Sequence, residues 1–339
     1  MNPLIIVANQ ALFMEHLTGD FHPESPQRIE AIEARLREAH LMDRENTVQP
    51  RVATTEEISL CHDEAYQEEL QKQILRLQKL RIRGAAFDSS TCRVEHVAGD
   101  FQISPKTLVA ASFAAGAPLT AIEFILNEKN EAKRAFCIIR PPGHHAHRRT
   151  GSGFCVFNNV AIAAKHLTCN LGFRRVLIVD WDGHHGDGTQ ELTESDGKIF
   201  YFSTHRDTFA GHGFYPGSYW GRIEQTGLGE GKGTVLNCPV FGSNQECRKQ
   251  ILEAFKDRLI PAMDVYRPEF ILISCGFDAH QEDPLVGLGL KDADYGELTL
   301  ICKSIAEKYA KGRMVSVLEG GYNLDAIARA AQAHVEAMM

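Results

Sequence analysis

Positive charge is scarce in this chain: 36 Lys and Arg stand against 44 Asp and Glu, for a formal net charge of −8 with histidine neutral. Proteins that grip nucleic acid concentrate Lys and Arg on one face or stripe. The basic runs here are short, Lys79–Arg83 and His147–Arg149, and the solvated face of a helix accounts for the first. No direct nucleic-acid contact is expected, and the acidic balance favours cationic partners such as a lysine-rich tail or a polyamine. Paired cysteines are also missing. The nine cysteines are scattered, with no CxxC or CxxH spacing, which argues against a closed structural zinc site and against a disulfide framework. Cys137, Cys275 and Cys302 lie inside apolar runs, where cysteine behaves as a small hydrophobe. The segment from Met1 to Val7 has no basic region and no apolar core of signal length, and no stretch approaches a membrane span. These absences predict a cytoplasmic protein that engages no membrane. No repeat, low-complexity tract or Pro/Gly/Ser linker divides the chain, so residues 1–339 are expected to form a single domain.

What is present is ordinary globular material, 44% hydrophobic and 24% charged, laid out in a regular alternation. Short runs rich in Ile, Val and Phe recur at Phe136–Ile139, Val176–Val179, Ile199–Phe202, Phe270–Ile273 and Met314–Leu318. Such runs suit strands buried on both faces. Helical periodicity fills the intervals. Ser25-Pro26 opens one helix, with Ile29, Ile32 and Leu36 spaced along one face. Others are predicted over Ala65–Leu80, Lys106–Leu126, Asn158–Leu167, Arg248–Tyr266, Ala293–Tyr309 and Leu324–Met338. The alternation implies an α/β fold with a mostly parallel sheet flanked by helices. The glycine-rich stretch Ala210–Gly233 reads as long loops, which in compact domains are often functional.

Chemistry collects where four of these strands end. Phe136–Ile139 leads into RPPGHH, Val176–Val179 into DWDGHHGDG, Phe270–Ile273 into SCGFDAH, and Met314–Leu318 into EGGYN. Ligand sites in open α/β sheets lie outside the carboxyl ends of the strands, so the four clusters are expected to converge. Asp182 and His184 are two residues apart and leave a strand end on the same side, and Asp278 is placed to add a third ligand. Three protein ligands with a position left open describe a catalytic metal site. Taken alone, D-x-H is usually a turn cap beside a core histidine; it is the company of the other clusters that reverses this. Of His144 and His145, one is suited to act as general base and the other as its electrostatic partner, with Asp180 and Asp187 as orienting carboxylates. His147 reads as surface. Tyr322, in a Gly-Gly-Tyr turn, is suited to donate to a developing oxyanion.

RPPGHH, GFCVFNN (Gly153–Asn159), DWDGHHGDGTQ (Asp180–Gln190), GFDAHQEDPL, LEGGYNL and HPESPQRIEAI (His22–Ile32) together closely resemble the histone deacetylase and acetylpolyamine amidohydrolase superfamily. The resemblance runs from about Asn9 to the end of the chain, in the family's order. It implies a single arginase-like α/β domain with a central parallel sheet of about eight strands. It further implies a zinc-dependent deacetylase with ligands Asp182, His184 and Asp278, and with His145 as general base oriented by Asp187. His144, paired with Asp180, becomes the electrostatic partner, and Tyr322 polarises the acyl carbonyl. Gly153, Phe154 and Tyr215 would line the acyl-lysine tunnel, with Leu285 at its rim; the family usually has Phe where Tyr215 stands. A potassium ion would sit beneath the zinc at Asp180, the carbonyls of Asp182 and His184, Ser203 and Thr204, and a second near Thr193, Asp196 and Ile199. Glu319 and the GFDAH form resemble the class II branch and its bacterial relatives. Gly183 departs from the bulkier aliphatic residue usual there and is expected to loosen the loop.

The implied substrates are acetyl-lysine in protein or peptide or, alternatively, an acetylated polyamine, and hydroxamate-type inhibitors would bind the metal. The loops Ala210–Gly233 and Val97–Pro105 would shape the tunnel mouth that separates these substrates. Ferrous iron suits Asp/His/Asp ligation as well as zinc does. A binuclear ureohydrolase of the arginase type would want carboxylates where Gly186 and His280 stand. A silent acyl-lysine-binding module would be marked by a missing ligand, base or tyrosine, and none is missing. The sequence pattern leaves the oligomeric state unread.

Overall fold

The computed structural model describes residues 4–82, 95–96, 101–208 and 213–339. Arg83 of the first basic run, and residues 97–100 and 209–212 of or beside the two expected mouth loops, lie outside these. The core is a parallel sheet whose eight strands, numbered in chain order, are β1 (Leu4–Ala8), β2 (Thr47–Val48), β3 (Arg134–Ile138), β4 (Val176–Asp180), β5 (Ile199–Arg206), β6 (Val235–Val240), β7 (Phe270–Cys275) and β8 (Met314–Leu318). Their spatial order is β2-β1-β3-β8-β7-β4-β5-β6. Every residue of β3, β4, β7 and β8 is buried, as uninterrupted apolar runs require when helices cover both faces. These four are neighbours at the middle of the sheet. The four polar clusters therefore emerge side by side, and the register sets Asp180 level with both Ser203 and Ser274.

The expected helices are present at Gln27–Glu38, Glu64–Ile82, Thr107–Leu126, Asp292–Tyr309 and Leu324–Met338. Two others are not single α-helices. Asn159–Lys165 passes into a π-helical turn at His166–Asn170, and the segment expected as Arg248–Tyr266 runs Asn244–Glu253, a π-helical stretch Ala254–Leu259, then Ile260–Tyr266. Helix Thr107–Leu126 corrects one expectation. It is long and apolar enough to cross a membrane, but most of it is buried inside the protein. It packs on β1, β3 and β8 and on helix Asn159–Lys165, so its apolarity serves the core.

Candidate active site

Asp182 and His184 follow β4, and Asp278 follows β7, the adjacent strand. Ligand atoms of the three lie within 4.8 Å of one another. Backbone donors aim the carboxylates: Gly320 N–H donates to Asp182 Oδ2 at 2.9 Å and Gly183 N–H to Asp278 Oδ1 at 2.7 Å. Asp278 Oδ2 is buried without a well-formed hydrogen bond, although His184 Nδ1 stands 2.8 Å away. Burial and the Asp182 carboxylate push Asp278 up to about 7. Two buried carboxylates crowded on one imidazole, with an orphaned oxygen turned toward them, form a donor set that fits a divalent cation. The chemistry of the set suits zinc or ferrous iron.

At Gly183 the segment around Val286 packs where a side chain would stand. A Cβ there would come within 2.6 Å of Val286 Cγ1 and 3.2 Å of Asp278 Oδ1, so the absent side chain lets the rim segment close over the ligand loop.

Beside the triad, the loop after β3 presents two adjacent histidines, each held by its own carboxylate. His144 Nδ1 lies 3.1 Å from Asp180 Oδ2, and His145 Nδ1 lies 2.7 Å from Asp187 Oδ1. Burial lowers the His144 pKa, but the Asp182 and Asp180 carboxylates outweigh it and hold the ring well above its ordinary value. Burial and the His144 charge together lower His145 to about 4 against the pull of Asp187. The two ring centroids are 4.0 Å apart. Adjacent groups driven apart in this way divide acid and base work between them. Tyr322 follows β8; burial and the Asp182 and Asp278 carboxylates raise its phenol well above 10, so it remains a donor.

Three of the residues expected in a tunnel, Gly153, Phe154 and Tyr215, lie against His145 or Tyr322. Phe154 packs edge-on against Tyr322 with centroids 6.0 Å apart, and Tyr215 packs edge-on against His145 at 4.7 Å. The Tyr215 hydroxyl is hydrogen-bonded to Ser152 Oγ, so its extra polar atom is anchored. A Cβ at Gly153 would strike the His145 ring at 2.3 Å. Leu285 is 43% exposed. Phe214, not anticipated, stacks on His184 at 5.1 Å. Beside the triad, Asp180 Oδ1 accepts from Asp182 N–H at 3.1 Å, Ser203 Oγ pairs with His205 Nδ1 at 2.8 Å, and Thr204 Oγ1 is buried with no partner. At the outer position, the Thr193 and Asp196 carbonyls accept the N–H groups of Asp196 and Ile199.

Three features escaped the sequence. His147 is not a bare surface residue: its Nε2 lies 3.1 Å from Asp187 Oδ2 and its Nδ1 2.5 Å from Glu191 Oε2. Asp283 accepts from Tyr322 N–H at 2.7 Å and from Leu285 N–H at 2.9 Å, which ties the tyrosine turn to the rim. Glu24, fully buried, accepts from Arg140 at 2.5 and 2.7 Å and from Arg28 at 3.0 Å. Arg28 in turn donates to the carbonyls of Gly321 and Glu319 at 2.6 and 2.5 Å, pinning the backbone on either side of the Gly-Gly pair. The one available signal was an acidic residue two places after His22, inside the His22–Ile32 segment.

Comparison with known proteins agrees with this geometry. The histone deacetylase domain family matches residues 22–338. Histone deacetylase 14, chloroplastic, of Arabidopsis thaliana is 35% identical over 318 residues, covering 90% of this chain and 70% of that protein. A probable deacetylase of Archaeoglobus fulgidus is 34% identical over 316 residues, covering 92% and 80%. The crystal structure of the HDA15 HD domain superposes with a TM-score of 0.85 at 30% identity, covering 100% of this chain and 90% of that one. With the family matched along nearly its whole length and the strand-end clusters gathered in one place, the chain belongs to the histone deacetylase family and is a hydrolytic deacetylase.

Proposed function

We propose that the chain hydrolyses the acetyl amide of acetyl-lysine in a protein or peptide, with zinc held by Asp182, His184 and Asp278. The observation that carries this is the convergence, at adjacent strand ends, of the Asp182–His184–Asp278 cluster with two histidines each anchored by its own carboxylate, His144 on Asp180 and His145 on Asp187. A divalent ion there supplies Lewis-acid polarisation and lowers the pKa of water. His145, with Nδ1 fixed on Asp187, has its Nε2 lone pair free to accept a proton from the attacking water. The Tyr322 phenol donates to the carbonyl oxygen as it gains charge. His144, an imidazolium fixed by Asp180, stabilises the anionic centre electrostatically, and an imidazolium of the pair returns a proton to the departing lysine amine. A potassium ion at Asp180, Ser203 and Thr204 is part of the same proposal, supported by the unpartnered Thr204 hydroxyl.

Phe154, Phe214, Tyr215 and Leu285 favour the methylene stem of a lysine, whose charge is masked by acetylation, over a polyamine that brings a second cation to an apolar rim. The test is acetate release from acetyl-lysine peptides and from N-acetylated polyamines in parallel, with and without chelator. Chelator-sensitive release from the peptide, restored by zinc, is expected. Preference for the polyamine would replace the substrate, and release insensitive to chelator would overturn the metal assignment.

A further inference from the structure

Asp187 opens helix Asp187–Thr193 and is shared by two imidazoles. Its Oδ1 faces His145 and its Oδ2 faces His147, while the other nitrogen of His147 faces Glu191 one turn along the same helix. A carboxylate only accepts, so a ring held between two of them carries a proton on each nitrogen. Burial lowers the His147 pKa, but Asp187 and Glu191 outweigh it and raise the ring to about 9. The main chain is fixed as well: His147 N–H donates to the Thr150 carbonyl at 2.9 Å, and His62 Nδ1 lies 2.9 Å from the His147 carbonyl. The Trp220 ring lies 6.0 Å away. The remaining titratable or charged neighbours are His62, lowered to about 4 by burial, and Arg148, whose backbone N–H donates to Glu191 and whose guanidinium reaches Asp63 at 3.8 Å.

We propose that His147 is a positioning residue for the deacetylase reaction: clamped between Glu191 and Asp187, it holds the Asp187 carboxylate in the orientation that aims His145. With one oxygen tied to each imidazole, the carboxylate cannot rotate about its terminal bond without breaking a charge-assisted hydrogen bond. The role rests on the functional reading above, in which His145 is the base.

The experiment compares wild type, His147→Leu, His147→Gln and Glu191→Gln on an acetyl-lysine peptide, with NMR titration of the His147 ring. Partners at this remove from a reacting group are typically worth 10–100-fold, so His147→Leu should lower kcat about tenfold with KM within about twofold. His147→Gln, which keeps an N–H donor for Asp187, should recover much of that loss. Glu191→Gln should bring the His147 pKa down toward 6.5 and lower kcat in the same sense. If His147→Leu does not fold, the Gln and Glu191 variants decide. A kcat unchanged in both, or a loss confined to KM, overturns the role. Absence of wild-type turnover on either acetyl substrate sinks the functional reading and this role with it, whereas wild-type turnover with indifferent variants sinks the role alone.

Discussion

Replacing Glu24 by Gln tests how the tyrosine turn is held. Glu24 is fully buried, and one carboxylate serves both Arg140 and Arg28. Burial pushes its pKa up, but Arg140 and then Arg28 outweigh that and hold it at about 2, against 4.5 for a free side chain. At about 1.36 kcal/mol per pKa unit, that difference is worth ~3 kcal/mol at neutral pH. The figure agrees with the ~3–5 kcal/mol lost when one member of a buried ion pair is removed. Over 339 residues the entropy of unfolding is about 0.7 kcal/mol per degree, so Tm should fall by about 5 °C. The pH dependence has a fixed sign. A depressed carboxylate contributes fully above its unfolded pKa of 4.5 and loses that contribution as pH falls through about 2. The gap between wild type and variant in denaturant unfolding should therefore be widest near pH 6 and narrow toward pH 3. Because Arg28 also holds the Gly321 and Glu319 carbonyls, kcat should fall too. A Tm within a degree of wild type, or a gap that widens on acidification, would refute the reasoning.

Tyr322→Phe should lower kcat by roughly 10²–10³-fold with Tm and bound metal unchanged; near-normal turnover removes the phenol from the reaction. Asp278→Asn should bind less than one metal per chain by elemental analysis while folding normally by circular dichroism, and full occupancy would remove it from the ligand set. Gly183→Leu should cost about 1–3 kcal/mol by overpacking against Val286, read as a lower denaturation midpoint; an unchanged midpoint would show that the rim yields freely.

The clustering of Asp182, His184 and Asp278 beside the two histidines and their carboxylates was legible because each group follows an apolar run in the chain, and strand ends converge by topology alone. Leu4–Ala8 went unread because five apolar residues with no turn before them carry no period to distinguish. β6 was hidden because Asn237 and Pro239 interrupt it; it is an edge strand, where proline is tolerated. The partnership of Glu24 with Arg140 spans 116 residues, and no local pattern announces it. His147 sits beside Arg148 and Arg149, which makes it look solvated, and only the turn of helix Asp187–Thr193 brings Glu191 under it. The meaning of Gly183 depended likewise on Val286, a residue remote in sequence.

The position of β8 has a consequence for how the protein is made. It pairs with β3 on one side and β7 on the other, so in a nascent chain still short of Met314 the two halves of the sheet lack the strand that hydrogen-bonds them together. The first, β2-β1-β3, carries His144 and His145; the second, β7-β4-β5-β6, carries Asp182, His184 and Asp278. Each half ends in an open, apolar strand edge, which is prone to pair with other chains. Synthesis of the strand that leads to Tyr322 fills the gap between the two edges, so a chain stalled before β8 lacks both the finished sheet and Tyr322.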